Sequence, residues 1–135
     1  MNTLAKFLYP KPAKRTAGGI VLWWESRRLQ YNLIVGGTGL VSLAGFRLLT
    51  LLPPDAHTFP VFNWTGILAY GLLANACYLL GPTVELLVEK LSRGEILPTG
   101  PILYRMGLTF SVGLTLLPPL LAGIDWVVRI FSWIF

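Results

Sequence analysis

Three long apolar stretches, joined by short connections rich in helix breakers, set the pattern of this chain. The first runs from about residue 31 to 52 (YNLIVGGTGLVSLAGFRLLTLL), with Arg47 as its only charge. The second runs from about 61 to 88 and carries no charge before Glu85; the third runs from about 102 to 117, ahead of a Pro-Pro pair. About 20 helical residues cross a ~30 Å hydrocarbon core, and a spanning backbone must satisfy its own polar groups, so each stretch is predicted to be a transmembrane helix. The period-two alternation of a barrel strand is absent. Pro53-Pro54-Asp55, Pro60, and the prolines and glycines between 92 and 101 mark the helix ends, because proline lacks an amide donor and disfavours helix in the residue before it.

Two flanking segments read as lying on the membrane. Residues 19–30 set Ile20, Trp23, Trp24 and Leu29 among Glu25, Arg27 and Arg28, the pattern of an interfacial helix within a basic N-terminal segment, 1–30. In 120–135, Asp125, Arg129 and Ser132 share one helical face, and Trp126, Val127, Ile130, Phe131 and Ile134 cover much of the rest. Sixteen residues rise only ~24 Å. The segment is therefore expected to form an amphipathic in-plane helix turned by Pro118-Pro119, with a tilted fourth crossing as the alternative. Trp64, Trp126 and Trp133 join Trp23 and Trp24 as expected anchors at the headgroup level. The run Thr50-Leu51-Leu52-Pro53-Pro54 recurs at 115–119, and parallel first and third spans would put both copies at one membrane face. The expected fold is thus an all-α integral membrane protein with three transmembrane helices (31–119), an N-terminal interfacial segment and a C-terminal in-plane helix.

Composition agrees with this pattern. Apolar residues make up 54% of the 135 positions and charged residues 13%, about half the share usual in soluble domains. A single cysteine, Cys77, excludes an internal disulfide. The first residues are basic but have no apolar run of signal-peptide length behind them, so they are read as retained. The net charge of +5 comes from residues beside apolar runs, which points to lipid headgroups rather than nucleic acid. Lys6, Lys11, Lys14, Arg15, Arg27, Arg28, Lys90, Arg93 and Arg105 are nine of the eleven basic residues, and all fall on one side of a three-span topology. By the positive-inside rule the N-terminus is expected in the cytoplasm and the chain in a plasma (inner) membrane.

Few residues carry candidate chemistry. Arg47 is an intramembrane charge, within snorkelling reach of the interface or paired with a partner. Asn75, beside Cys77 and Tyr78, is expected to hydrogen-bond across a helix interface or to a ligand. Glu85 and Glu89 stack one turn apart; beside Lys90 and Arg93 they read first as a solvated salt-bridge cluster and second as an acid–base pair. His57, the only histidine, lacks the companions a metal, haem or pigment site would need. Gly36, Gly37, Thr38, Ser42, Gly107, Ser111 and Gly113 are small residues at spacings that let helices pack closely, and the glycine run has neither phosphate-loop spacing nor its lysine.

No catalytic, metal or nucleotide signature emerges, and no cofactor is implied. The leading expectation is a non-catalytic structural or accessory subunit that packs with other membrane subunits or copies of itself. A lipid-, quinone- or pigment-binding module or small transporter is the second reading, and a lipid-active enzyme using Glu85, Glu89 and Asn75 the third. The outline of an interfacial helix followed by three spans resembles the small prokaryotic diacylglycerol kinases. The resemblance ends at outline, since their Glu/Asn-rich second-span pattern has no counterpart around Asn75 and Glu85.

Overall fold

A computed structural model describes residues 16–54, 64–93 and 99–135, and these form helices without strands. The first helix, α1, spans Ala17–Leu51. The Thr16 hydroxyl accepts from the Gly19 amide at 3.1 Å and caps its start. No proline interrupts it before Pro53, and Leu52, the residue preceding that proline, is already extended. α2 spans Trp64–Ser92 with Pro82 inside it, α3 spans Gly100–Thr115 and α4 spans Leu117–Ile134. α1, α2, and α3 with α4 taken as one 35-residue run are each long and apolar enough to cross a membrane, which marks the chain as a multi-pass membrane protein.

The side-chain contacts fix the arrangement. Trp24 near the start of α1 meets Glu85 near the end of α2, so these two helices are antiparallel. α3 and α4 run parallel to α1, and their contacts climb in step with it. A Cβ at Gly39 would lie 3.9 Å from the Thr115 methyl, one at Gly45 3.5 Å from Pro119, and one at Gly123 3.8 Å from Leu49. Further up, the Trp126 indole donates to the Pro53 carbonyl at 3.0 Å.

This register corrects two expectations. Pro118-Pro119 does not turn the chain away from α3. Both prolines sit in the first turn of α4, where a missing amide removes no intrahelical bond, so the chain passes Leu116 with near-helical angles (φ −85°, ψ −4°) and continues along α1. The repeated Thr-Leu-Leu-Pro-Pro run does not mark one depth. Thr115 lies beside Gly39, eleven residues (50 − 39) or ~16 Å below Thr50. Residues 17–30 lead into the first span as part of one continuous helix.

The core is small and off-centre. Ile20, Trp23, Trp24, Tyr31, Val35, Tyr78 and Tyr104 are buried together where the start of α1, the end of α2 and the start of α3 converge. Elsewhere the surface is apolar on all sides, with leucines such as Leu40, Leu72 and Leu91 more than 70% exposed. A surface of that kind suits lipid rather than water.

Candidate functional site

Each helix brings one stripe to the core. On α1, Ile20, Trp24, Tyr31 and Val35 recur at helical spacing; on α2 the stripe is Ala74, Tyr78 and Glu85; on α3 it is Gly100, Tyr104, Ser111 and Thr115. All these residues except Ser111 are buried, and the polar ones other than Tyr104 are hydrogen-bonded.

The Trp24 indole N–H donates to Glu85 Oε2 at 2.6 Å, and the Tyr78 hydroxyl donates to the Trp24 carbonyl at 2.6 Å. The Tyr31 hydroxyl lies 2.8 Å from Ser111 Oγ and 3.2 Å from the Ala74 carbonyl. Tyr70 bonds the Thr115 hydroxyl, which itself donates to the Ser111 carbonyl at 2.6 Å. The rings pack edge to face: Trp24 centroids lie 5.4 Å from Tyr78 and 6.0 Å from Tyr104, and Trp23 lies 6.1 Å from Tyr104. Such geometry matches positive ring edges with negative faces.

Two glycines make this packing possible. A Cβ at Gly81 would overlap the six-membered ring of Trp24, and one at Gly100 would overlap the Glu85 carboxylate. The carboxylate therefore rests against the first residue of α3, where unpaired backbone amides favour negative charge. On the rim, the Arg27 guanidinium stacks 4.0 Å from the Trp23 ring, and Arg28 pairs with Glu25 at 2.8 Å while lying 5.7 Å over Tyr78.

Beside this cluster, α2 and α3 separate to leave a groove of about 420 Å³ lined by Tyr31, Tyr78, Tyr104, Met106, Gly107 and Phe110 among others. The Tyr104 side chain is buried, and its hydroxyl has no hydrogen-bond partner among the described residues. The tyrosines at 31, 70 and 78 all have one.

The residues singled out in the sequence fall unevenly around this centre. Tyr78 and Glu85 belong to it. Glu85 bonds Trp24, and among the described residues neither it nor Glu89 forms an ion pair with Lys90 or Arg93, so the expected solvated cluster is replaced by a buried one. Asn75 lies away from it, its amide donating to the Gly71 carbonyl of its own helix at 3.0 Å. Arg47 is half-buried near the far end of α1, where its carbonyl accepts from Thr50. His57 lies outside the described residues.

Among the small residues, Ser42 is buried and Ser111 bonds Tyr31, whereas a Cβ at Gly36, Gly37, Gly107 or Gly113 would meet nothing within 4 Å. Thr38 turns its hydroxyl to the Ile34 carbonyl. Trp64 and Trp133 are exposed, but Trp23 and Trp24 are buried in the protein rather than turned to headgroups.

Sequence reasoning missed Tyr31, Tyr104 and Arg129. For the two tyrosines, the seven-residue spacing from Trp24 to Tyr31 and from Tyr104 to Ser111 is the signal that could have found them. Arg129 closes the far end of the fold: its guanidinium donates to the Pro54 carbonyl at 3.0 Å and the Leu49 carbonyl at 3.2 Å, and pairs with Asp125 at 3.1 Å. It thereby places a cation on the unsatisfied carbonyls at the end of α1. No protein-family model, curated protein or solved structure matches this chain.

Proposed function

We propose that this chain is a non-catalytic membrane protein that acts by assembling laterally in the bilayer, with copies of itself or with other membrane subunits. Its polar interior supports this reading, because Glu85, Tyr31, Tyr70 and Tyr78 are engaged in holding the chain's own helices together. The observation that carries it lies outside. Gly36 and Gly37 present bare backbone on α1, and Asn75 on α2 holds an amide against its own helix at similar depth. Bare backbone lets a second helix approach closely, and an asparagine amide supplies a bond across such a contact.

The membrane placement follows from the charges. Residues 29–46, 64–84 and 106–124 contain no Asp, Glu, Lys or Arg. At 1.5 Å per residue these runs measure roughly 27–32 Å, the thickness of a hydrocarbon core. The bonds from Trp24 to Glu85 and from Trp126 to Pro53 set the runs side by side. In this reading the third crossing is completed by the first half of α4, and the basic end carrying Arg27, Arg28, Lys90 and Arg93 faces the cytoplasm of a plasma (inner) membrane.

Native mass spectrometry of the chain extracted with its surrounding lipid tests the proposal. A homo- or hetero-oligomeric mass that falls to the monomer on Gly37→Leu supports it. A monomer in both wild type and variant overturns it.

A further inference from the structure

The apolar stretches of α1 and α3 begin at one level, and arginines stand at the foot of both. The uncharged runs 29–46 and 106–124 start directly after Arg28 and Arg105. The Trp23 and Tyr104 rings meet at 6.1 Å just below, which sets the two starts side by side.

Arg27 is held ready at this level. Its guanidinium lies 4.0 Å from the Trp23 ring, and its Nη1 donates to the Trp23 carbonyl at 3.2 Å and to Ser26 Oγ at 3.3 Å. Its Nε and Nη2 donors bond none of the described residues and are not enclosed. Among the described residues no carboxylate pairs with it, since Glu25 is taken by Arg28 at 2.8 Å and Glu85 by the Trp24 indole. A guanidinium fixed on one side and open on the other loses little freedom on gripping an anion.

Arg105 brings a second cation to the same flank. Leu103 and Gly107 line the α2 side of α3, and Arg105 is two residues, about half a turn, from each. It therefore lies on the side of α3 away from α2. On α1, Arg28 turns over Tyr78 of α2, whereas Arg27 turns over Trp23 beside α3. A shallow groove of about 490 Å³ passes Arg105 and continues along Met106, Thr109 and Phe110 into the uncharged run. Cations at the edge of the apolar layer and a groove leading inward from them match an amphiphile with an anionic head, and phosphate oxygens fit the guanidinium fork.

We propose that the basic end of the α1–α3 seam seats one anionic phospholipid, its phosphodiester gripped by Arg27, its net charge shared with Arg105, and an acyl chain laid along Met106, Thr109 and Phe110. A zwitterionic lipid presents the same phosphate but brings its own cation, which repels both arginines. The seat lies at the foot of the bundle, below Gly36 and Gly37, and does not depend on lateral assembly.

The test offers the full chain, delipidated in detergent, phosphatidylglycerol or phosphatidylcholine with the same acyl chains, and counts bound lipid per chain by native mass spectrometry. One basic residue at an anionic surface is worth about fivefold in affinity, so the wild type should prefer phosphatidylglycerol by about 25-fold and Arg27→Gln or Arg105→Gln by only about fivefold. Arg93→Gln removes a cation from the same end but from α2, and should leave the preference within about twofold of wild type. Should Arg27→Gln lose its helicity, the exposed Arg105 carries the test alone. Equal retention of the two lipids by the wild type overturns the proposal, as does a full preference surviving in a folded Arg27→Gln or Arg105→Gln. An equal loss in Arg93→Gln overturns it too, because the attraction would then belong to the whole basic end rather than to this seat.

Discussion

The bond between Trp24 and Glu85 joins the start of α1 to the end of α2, and its strength can be measured with a double-mutant cycle. Both residues are almost completely buried, at 3% and 4% exposure, and the N–H···O distance is 2.6 Å. Trp24→Phe removes the donor and part of the ring, leaving the carboxylate buried with only the start of α3 beside it. A lost bond to a charged group and a partly emptied ring site together should cost about 3 kcal/mol. Glu85→Leu keeps the volume but strands the indole N–H, for about 1–3 kcal/mol. The double variant has neither stranded group, so its cost should fall short of the sum of the singles by about 2 kcal/mol, the range of a charge-assisted hydrogen bond. Bonds between transmembrane helices average only ~0.6 kcal/mol in such cycles, so this value is a demanding one. It rests on the shortness of the bond and the burial of both partners. Unfolding by sodium dodecyl sulfate in mixed micelles, followed by far-ultraviolet circular dichroism, gives the four free energies. Additivity within about 0.5 kcal/mol would refute the claim that this bond locks the two helices.

Three further outcomes follow from the same geometry. Gly81→Ala pushes a methyl into the buried Trp24 ring and should cost about 1–3 kcal/mol in the same unfolding assay, with partial recovery when Trp24→Phe supplies a smaller ring. Arg129→Ala should cost about 2 kcal/mol by stripping the cation from the end of α1, and Arg129→Lys should recover less than half because one ammonium cannot reproduce the guanidinium fork; full recovery by lysine would reduce Arg129 to a simple charge. In a Cys77→Ala background, cysteines placed at Arg93 and Phe135 should label from opposite sides of sealed vesicles, and labelling of both from one side would refute a single crossing by α3 and α4.

The membrane-crossing stretches were legible because a run of some 20 apolar residues has one physical solution in lipid. The cores of the three expected spans lie within the observed helices. What the sequence hid was how the spans continue past those cores. Pro118-Pro119 reads as a turn when prolines are treated as breakers, yet a proline in the first turn of a helix breaks nothing, and only the contact of Pro119 with Gly45 reveals that this is where the pair sits. Trp24 reads as a headgroup anchor because tryptophan favours that layer. Its burial depends on Gly81, 57 positions away (81 − 24), having no side chain to exclude it. Glu85 looked like a surface charge beside Lys90 and Arg93 for the same reason, since its partner lies on another helix. Local composition identifies a transmembrane helix, but the face it presents is decided by residues distant in sequence.

The distribution of these contacts gives the three rods unequal freedom. α1 and the α3–α4 run are fastened at both ends, by the aromatic cluster below and by Arg129 and Trp126 on the end of α1 above. On α2 the buried positions are Ala74, Tyr78 and Glu85, and none lies between Trp64 and Leu73. Within that segment Tyr70 reaches across to α3, through Ser111 and Thr115. Segments with few buried contacts open at lower free energy than the core to which they are attached. The bare glycines at 36 and 37 belong to the clamped helix, so a helix from another subunit would dock there on the more firmly held part of the bundle.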